Sequence, residues 1–439
     1  MADWVGSIML IFLTLFGLVN FFILQATAAK THSNEVYSPP IMFSLFVFVY
    51  VVARTFYFAI ITDLSFSEIP ITTETMIYGH VAISLGILSF CFGYFAIQNR
   101  FLKSYRVITI NGIITQYALI SLGLILLFFY FRKMGVFNNP LNPFVGRYFA
   151  TEYNERTSLT FLTMGADFIY VVFLFRLAKK PENVRLSAIE YLLILIPIFT
   201  NLVTTNRGSI ILYILGAMCV SNSLKNRTFP WMKFGIFTML LIGSLGLARG
   251  LVQSGDEARY GNAITASSVF IKTLEHVLQR PYHLAIDKTG YIVQSTSESN
   301  LYLYGSSLAT FLAAPIPRVV WRDKPSVRIG PWVAENIYNR DNRSGVPPGF
   351  IAELFLNFSW FGISIGMFLY GCLCRIIFNS HIRFNHLGSG WRVFYAIFLM
   401  SIVFRLLGAD FSGAIILFLR LLFPFLVIIF LSRLSSESN

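Results

Sequence analysis

Positive charge concentrated in a proline-rich stretch is the first chemistry the chain offers. Pro315-Ile316-Pro317-Arg318 leads into Trp321-Arg322-Asp323-Lys324-Pro325 and Arg328, so four cations fall within eleven residues. Three prolines limit the freedom of that backbone. Arginine presents a planar fork that matches phosphate oxygens, and lysine a point charge. The stretch therefore reads as a phosphate or pyrophosphate site; a solvated loop on a basic protein is the plain alternative. Pro347-Pro348-Gly349 then breaks the chain, and on the helix that follows Glu353 and Asn357 are one turn apart and share a face. A helix N-terminus and nearby arginines favour an ionised Glu353. That suits a binding or hydrogen-bonding carboxylate better than a general base, whose pKa has to approach the working pH.

The elements that must position these residues are apolar. Hydrophobic residues make up 56% of the 439 and charged residues only 13%, against about 25% charged in a soluble domain. A bilayer-spanning helix needs about 20 predominantly apolar residues. Such runs recur near 5–24, 39–62, 76–97, 107–131, 159–177, 188–205, 207–222, 232–250, 350–375, 392–408 and 414–432. The expected fold is all-α and polytopic, with about eleven transmembrane helices. Residues 1–250 carry the first eight, 251–349 form a large external loop with short helices, and 350–439 carry the last three. Within the loop, 264–280 has mild helical character, and 301–314 is an apolar run only about 21 Å long as a helix, expected to lie in the interface or re-enter partway. Ala26-Thr27-Ala28 resembles a signal-peptidase site, but no basic residue precedes the run, so it is expected to stay as the first span.

Charge distribution sets the orientation. Arg100, Lys103 and Arg106; Lys179, Lys180 and Arg185; Lys225, Arg227 and Lys233; and His381, Arg383 and Arg392 all fall on one face, which is then cytoplasmic. The 63–75 loop opposite carries Asp63, Glu68 and Glu74 and no lysine or arginine. The N-terminus is expected outside and the C-terminus inside. Loop basicity accounts for the net charge of +13, and no zinc finger, RNA-recognition motif or basic DNA-binding helix is present, so nucleic acid is not an expected partner. Cys91, Cys219, Cys372 and Cys374 lie in apolar runs and read as buried thiols.

A charge at the bilayer centre costs on the order of 3 kcal/mol, so each such residue needs a partner or a task. Arg54 and Asp167 sit near the centres of the second and fifth runs, and pairing with each other is one reading. Arg207, Arg249, Glu353, Arg405, Asp410 and Arg420 all fall within roughly 10 Å of the external boundary. Snorkelling explains Arg207 and Arg249; Arg405 and Arg420 fit a polar cavity open to the outer face better.

Three segments resemble the Wzy-type oligosaccharide repeat-unit polymerases: Thr205-Asn206-Arg207-Gly208-Ser209, Pro315 to Pro325, and Gly349-Phe350-Ile351-Ala352-Glu353-Leu354-Phe355-Leu356-Asn357-Phe358. Trp360-Phe361-Gly362 and Gly366 continue the likeness, which covers roughly 200–375. Members of that family often have glycine where this chain has Ser359, a departure expected to touch helix packing more than chemistry.

The resemblance implies a membrane glycosyltransferase, akin to the GT-C type, that moves a glycan from one undecaprenyl pyrophosphate to the nonreducing end of another lipid-linked repeat unit. It would act at the outer face of the bacterial inner membrane. Arg207, Arg249, Arg318, Arg322 and Lys324 would stabilise the leaving pyrophosphate. Arg207, Arg318 and Glu353 are the expected catalytic residues, with Glu353 positioning or deprotonating the acceptor hydroxyl. Asn357, Arg405, Asp410, Arg420, His276 and His283 remain candidates for the polar cavity. Activation resides in the pyrophosphate, so neither cofactor nor metal is expected. Partners are the lipid-linked oligosaccharides, membrane lipid and a chain-length-regulating co-polymerase. A glycan ligase shares such an outer-face cationic site, and a flippase or transporter is the non-enzymatic alternative.

Overall fold

The structure, a computed structural model, describes residues 2–31, 37–60, 72–97, 113–133, 137, 161–180, 186–203, 207–222, 285–314, 316, 321, 324, 326–340, 345–384 and 388–437. For 2–5, 207, 222 and 432–437 only the helical backbone is described. The described residues are helical with no strand: α1 Ala2–Lys30, α2 Pro39–Ile60, α3 Thr73–Ala96, α4 Ile113–Lys133, α5 Met164–Lys179, α6 Ala188–Val203, α7 Arg207–Asn222, α8 Ile286–Ser299, α9 Ser306–Ala309, α10 Gly330–Asn336, α11 Phe350–Phe384, α12 Ser389–Gly408 and α13 Phe411–Glu437.

Seven of these, within α1, α2, α3, α4, α11, α12 and α13, are long and apolar enough to cross a membrane, and large hydrophobics such as Phe12, Phe22, Phe92 and Phe430 project from them unburied. A helix apolar on its outward side is stable in lipid and not in water, so the chain is an integral membrane protein. Helices α5, α6 and α7 have 16 residues each, short of the length for a straight crossing. The expected run at 232–250 and the mild helix at 264–280 lie outside the described residues.

The chain forms two compact units, one from Met1–Lys103, Glu275–Arg383 and Ser401–Leu417, the other from Ser104–Leu274, Phe384–Met400 and Phe418–Asn439. In the first unit α3 is the spine, because glycines at heptad spacing let other backbones touch it. A Cβ on Gly79 would stand 2.4 Å from the Ile286 carbonyl oxygen, and one on Gly93 would stand 2.0 Å from that of Phe368. Between them Gly86 receives Ile351. Small residues at such crossings are what allow dispersion to hold membrane helices together. Helix α8, in the expected loop, is thus packed on α3. It shares a small core with α10 and the start of α11, in which Ile292, Ile329, Val333, Ile337, Ala352 and Leu356 are buried.

Two expectations are corrected here. Residues 301–314 are not one short helix: 301–303 belong to no regular element, Tyr304 and Gly305 turn at positive φ, and α9 passes into a single 3-10 turn, Thr310–Ala313. Nor is the helix from Phe350 continuous. It breaks at Phe358 and Ser359, and Ser359 stands at φ 55° and ψ −148°, a conformation natural to glycine and strained for serine. The segment 360–384 then passes back beside 350–357, so close that a Cβ on Gly362 would stand 2.2 Å from the Leu354 carbonyl oxygen. The departure at Ser359 therefore loads the backbone of the turn itself.

Ser359→Gly relieves that strain. It is expected to stabilise the fold by on the order of 1–2 kcal/mol, read as a raised thermal midpoint in detergent, whereas Ser359→Val lowers it.

Candidate functional site

The short segment 350–357 places Glu353 and Asn357 on one face, and both side chains are completely buried. The Glu353 carboxylate accepts from the Ser307 hydroxyl at 2.9 Å through Oε1 and from the Phe411 backbone N–H at 2.6 Å through Oε2. Asn357 completes the tie: its Nδ2 donates to Ser307 Oγ and to the Glu353 carbonyl, each at 2.7 Å, while its Oδ1 accepts from Gly305 N–H at 2.9 Å. The Ser412 hydroxyl donates to the Ser307 carbonyl at 3.0 Å and lies 2.7 Å from the Thr310 hydroxyl. Thr310 in turn reaches the Val327 carbonyl at 2.9 Å. Residues 305–310, Val327, 350–357 and 410–414 are thereby locked into one polar knot.

Asp410 caps α13. Its carbonyl accepts the first intrahelical bond from Ala414 N–H at 3.0 Å, and its Oδ2 accepts from Gly413 N–H at 3.2 Å, satisfying an amide that a helix start leaves without a partner. Its Oδ1 accepts from Arg328 Nε at 2.9 Å. Asp410 is buried, whereas the Arg328 side chain is 43% exposed. Lys324, the other described cation of the proline-rich stretch, donates to the carbonyls of Ala314 and Ile316 at 3.1 and 2.9 Å, a cation placed where a helical turn ends in exposed carbonyls.

Arg420, in the second unit, donates through Nε to Asp167 Oδ2 at 2.7 Å and through a terminal nitrogen to Thr163 at 3.1 Å, and the Tyr213 hydroxyl donates to Asp167 Oδ1 at 2.6 Å. Arg54 binds Asp287 on α8 through two nitrogens, each at 2.7 Å. Arg54 and Asp167 are therefore not paired with each other: each meets another opposite charge, and Asp287 lies outside every apolar run. Arg405 is half-buried at the end of a π-helical stretch in α12. Arg249, Arg318, Arg322, His276 and His283 lie outside the described residues, and Arg207 is described only as the first backbone position of α7.

Beside Asp287, Lys288 is buried and donates to the Pro347 carbonyl at 2.8 Å, tying α8 to the proline pair that launches 350–357. Burial is the main cause that pushes its ammonium pKa down to about 7; the Asp287 charge opposes the shift and Arg54 reinforces it. Reading the sequence missed Ser307, Thr310, Ser412 and Gly413. A capping signal was there to be used, since Asp410 directly precedes a long apolar run.

A profile described as O-antigen polysaccharide polymerase Wzy matches residues 4–439, and the chain belongs to that family. No curated protein and no solved structure matches it.

Two measurements test this packing. Glu353→Ala strands the Ser307 hydroxyl and the Phe411 amide without acceptors and is expected to cost about 2–4 kcal/mol, seen as a lower melting temperature, with Glu353→Gln between it and wild type. Lys288 binds a proton in the unfolded chain up to its ordinary pKa but releases it near pH 7 when folded. The unfolded state therefore holds more protons above pH 7, and the Lys288 contribution to stability rises with pH from there towards pH 10. Subtracting the pH–stability curve of Lys288→Met from that of the wild type should leave that rise; a flat difference refutes it.

Proposed function

We propose that this O-antigen repeat-unit polymerase uses units carried on undecaprenyl pyrophosphate and works at the outer face of the bacterial inner membrane. What carries the reading is the family match along the whole chain together with a cation-rich loop whose base is tied to buried carboxylates on α11 and before α13. In the transfer, the bond between the donor's anomeric carbon and the pyrophosphate oxygen breaks. A bond forms from that carbon to a hydroxyl at the nonreducing end of the acceptor unit. The acceptor hydroxyl's proton passes to water, and undecaprenyl pyrophosphate leaves with the electron pair. Negative charge grows on a phosphate oxygen, and fixed cations aimed at it lower the barrier without reorganising.

In this proposal Arg207, Arg249, Arg318 and Arg322 supply that charge, and Lys324 braces the loop through the carbonyls it holds. Glu353 acts as a positioning residue: both its oxygens already accept hydrogen bonds and none of its surface meets solvent. A general base needs reach to the proton it removes. A pyrophosphate is already a good leaving group, so no divalent metal is required to activate it. A chain-length-regulating co-polymerase is the proposed protein partner.

The test is purified protein incubated with one lipid-linked repeat unit, products resolved by size. A ladder spaced by one repeat, with undecaprenyl pyrophosphate released, is expected, unchanged by a chelator and lost in Arg318→Ala. Transfer of preformed polymer in a single step would identify a ligase instead, and movement of the intact unit across a liposome by this protein alone would identify a transporter.

A further inference from the structure

We infer that Arg328 contacts the pyrophosphate of the lipid-linked unit, held in readiness for it by Asp410 and Gly413. The inference rests on the polymerase reading above and adds to it an anion-binding side chain with its two positioning residues.

Four cations are described between residues 285 and 349, and three are engaged elsewhere. Lys288 is buried on the Pro347 carbonyl, Lys324 binds the two carbonyls that end the 3-10 turn, and the Arg340 guanidinium lies over the Tyr338 ring at 5.3 Å. Arg328 differs. Among the described residues only its Nε is engaged, by the buried Asp410 carboxylate at 2.9 Å, and the side chain is 43% exposed. A guanidinium carries five N–H donors, so an arginine held through Nε keeps the four on its terminal nitrogens, a flat edge that fits two phosphate oxygens at once. At the start of α13 the Phe411 amide is taken by Glu353 and the Gly413 and Ala414 amides by Asp410.

The placement is rigid at each step. Asp410 is fixed by the helix start it caps, that start is fixed by Glu353, and Glu353 is fixed by Ser307. Gly413 makes room: a Cβ there would stand 2.8 Å from Asp410 Oδ1 and 2.9 Å from both Cζ and Nε of Arg328, so any larger residue disturbs the pair and moves the guanidinium. A cation already held at its working position loses little freedom on binding, and that is how a fixed arginine gains affinity over a mobile one.

The experiment measures ladder formation against repeat-unit concentration, with inorganic pyrophosphate as competitor. Arg328→Ala is expected to raise KM about tenfold or more and to weaken pyrophosphate inhibition by a similar factor, as loss of a charge-assisted contact implies. Arg328→Lys should recover part of both. Gly413→Ala should shift both in the same direction in the wild-type background and add little in Arg328→Ala, since what it disturbs is the pair that Arg328 forms with Asp410. A purely structural arginine would instead lower the amount of active protein and leave KM and pyrophosphate inhibition unchanged. That result, in Arg328→Ala of wild-type melting temperature, overturns the inference alone; should that variant not fold, Arg328→Gln carries the same expectation. Absence of any ladder from folded wild-type protein with authentic substrate sinks the polymerase reading and the inference with it.

Discussion

The structure around the candidate site depends on one buried carboxylate. Glu353 has no solvent contact, and a charge or acid so placed is tolerated only if its oxygens are satisfied. They are, by a hydroxyl 46 residues earlier and a backbone amide 58 residues later. Because each donor is itself part of a second hydrogen bond or a helix start, the network is cooperative and loses more than one bond when any member is removed. Ser307 shows this: it donates to Glu353, accepts from Asn357, and its carbonyl accepts from Ser412. The loop, the break in α11 and the N-terminus of α13 are therefore one mechanical object, though the chain visits them far apart.

That object needs a scaffold, and α3 supplies it chiefly by shape. Glycines at 79, 86 and 93 repeat at seven residues, near two helical turns, so they line one stripe of the helix. Backbones approach along that stripe at α8 and again at the far segment of α11. The Arg54–Asp287 pair then fixes which way α8 sits on the spine. Buried ion pairs often contribute little net stability, but separating one leaves a charge without compensation. Such a pair enforces register more than it adds strength, and register is what Lys288 conveys to Pro347.

Much of this was legible in sequence, and the failures follow a pattern. Apolar runs gave the all-helical membrane class, the four-residue spacing put Glu353 and Asn357 on one face, and three short segments carried the likeness to the family to which the chain belongs. What could not be read were partners brought together by topology. Arg54 was weighed against Asp167 because both lie in apolar runs, yet its partner lies 233 residues on, in a stretch that composition marks as a loop. Serines and threonines gave no signal, because a hydroxyl is common and only its surroundings make Ser307 a hub. The break in α11 was visible only as serine in place of glycine, and hydropathy is blind to φ.

The two carboxylates and the arginine divide the labour in a way that suits glycosyl transfer from a pyrophosphate. In the proposed transfer the attacking hydroxyl is neutral and the leaving group anionic, so the electrostatic demand is for cations at one place and for no exposed negative charge beside it. Glu353 and Asp410 satisfy that condition by being buried: each meets donors from the protein and turns no oxygen towards solvent. Their charge is consumed in holding the scaffold. Arg328 is the outward end of the same network, stiffened by the acids behind it. A loop carrying its cations on prolines alone would have restricted backbones but free side chains. Anchoring one guanidinium to a capped helix adds what proline cannot, a fixed direction for the charge.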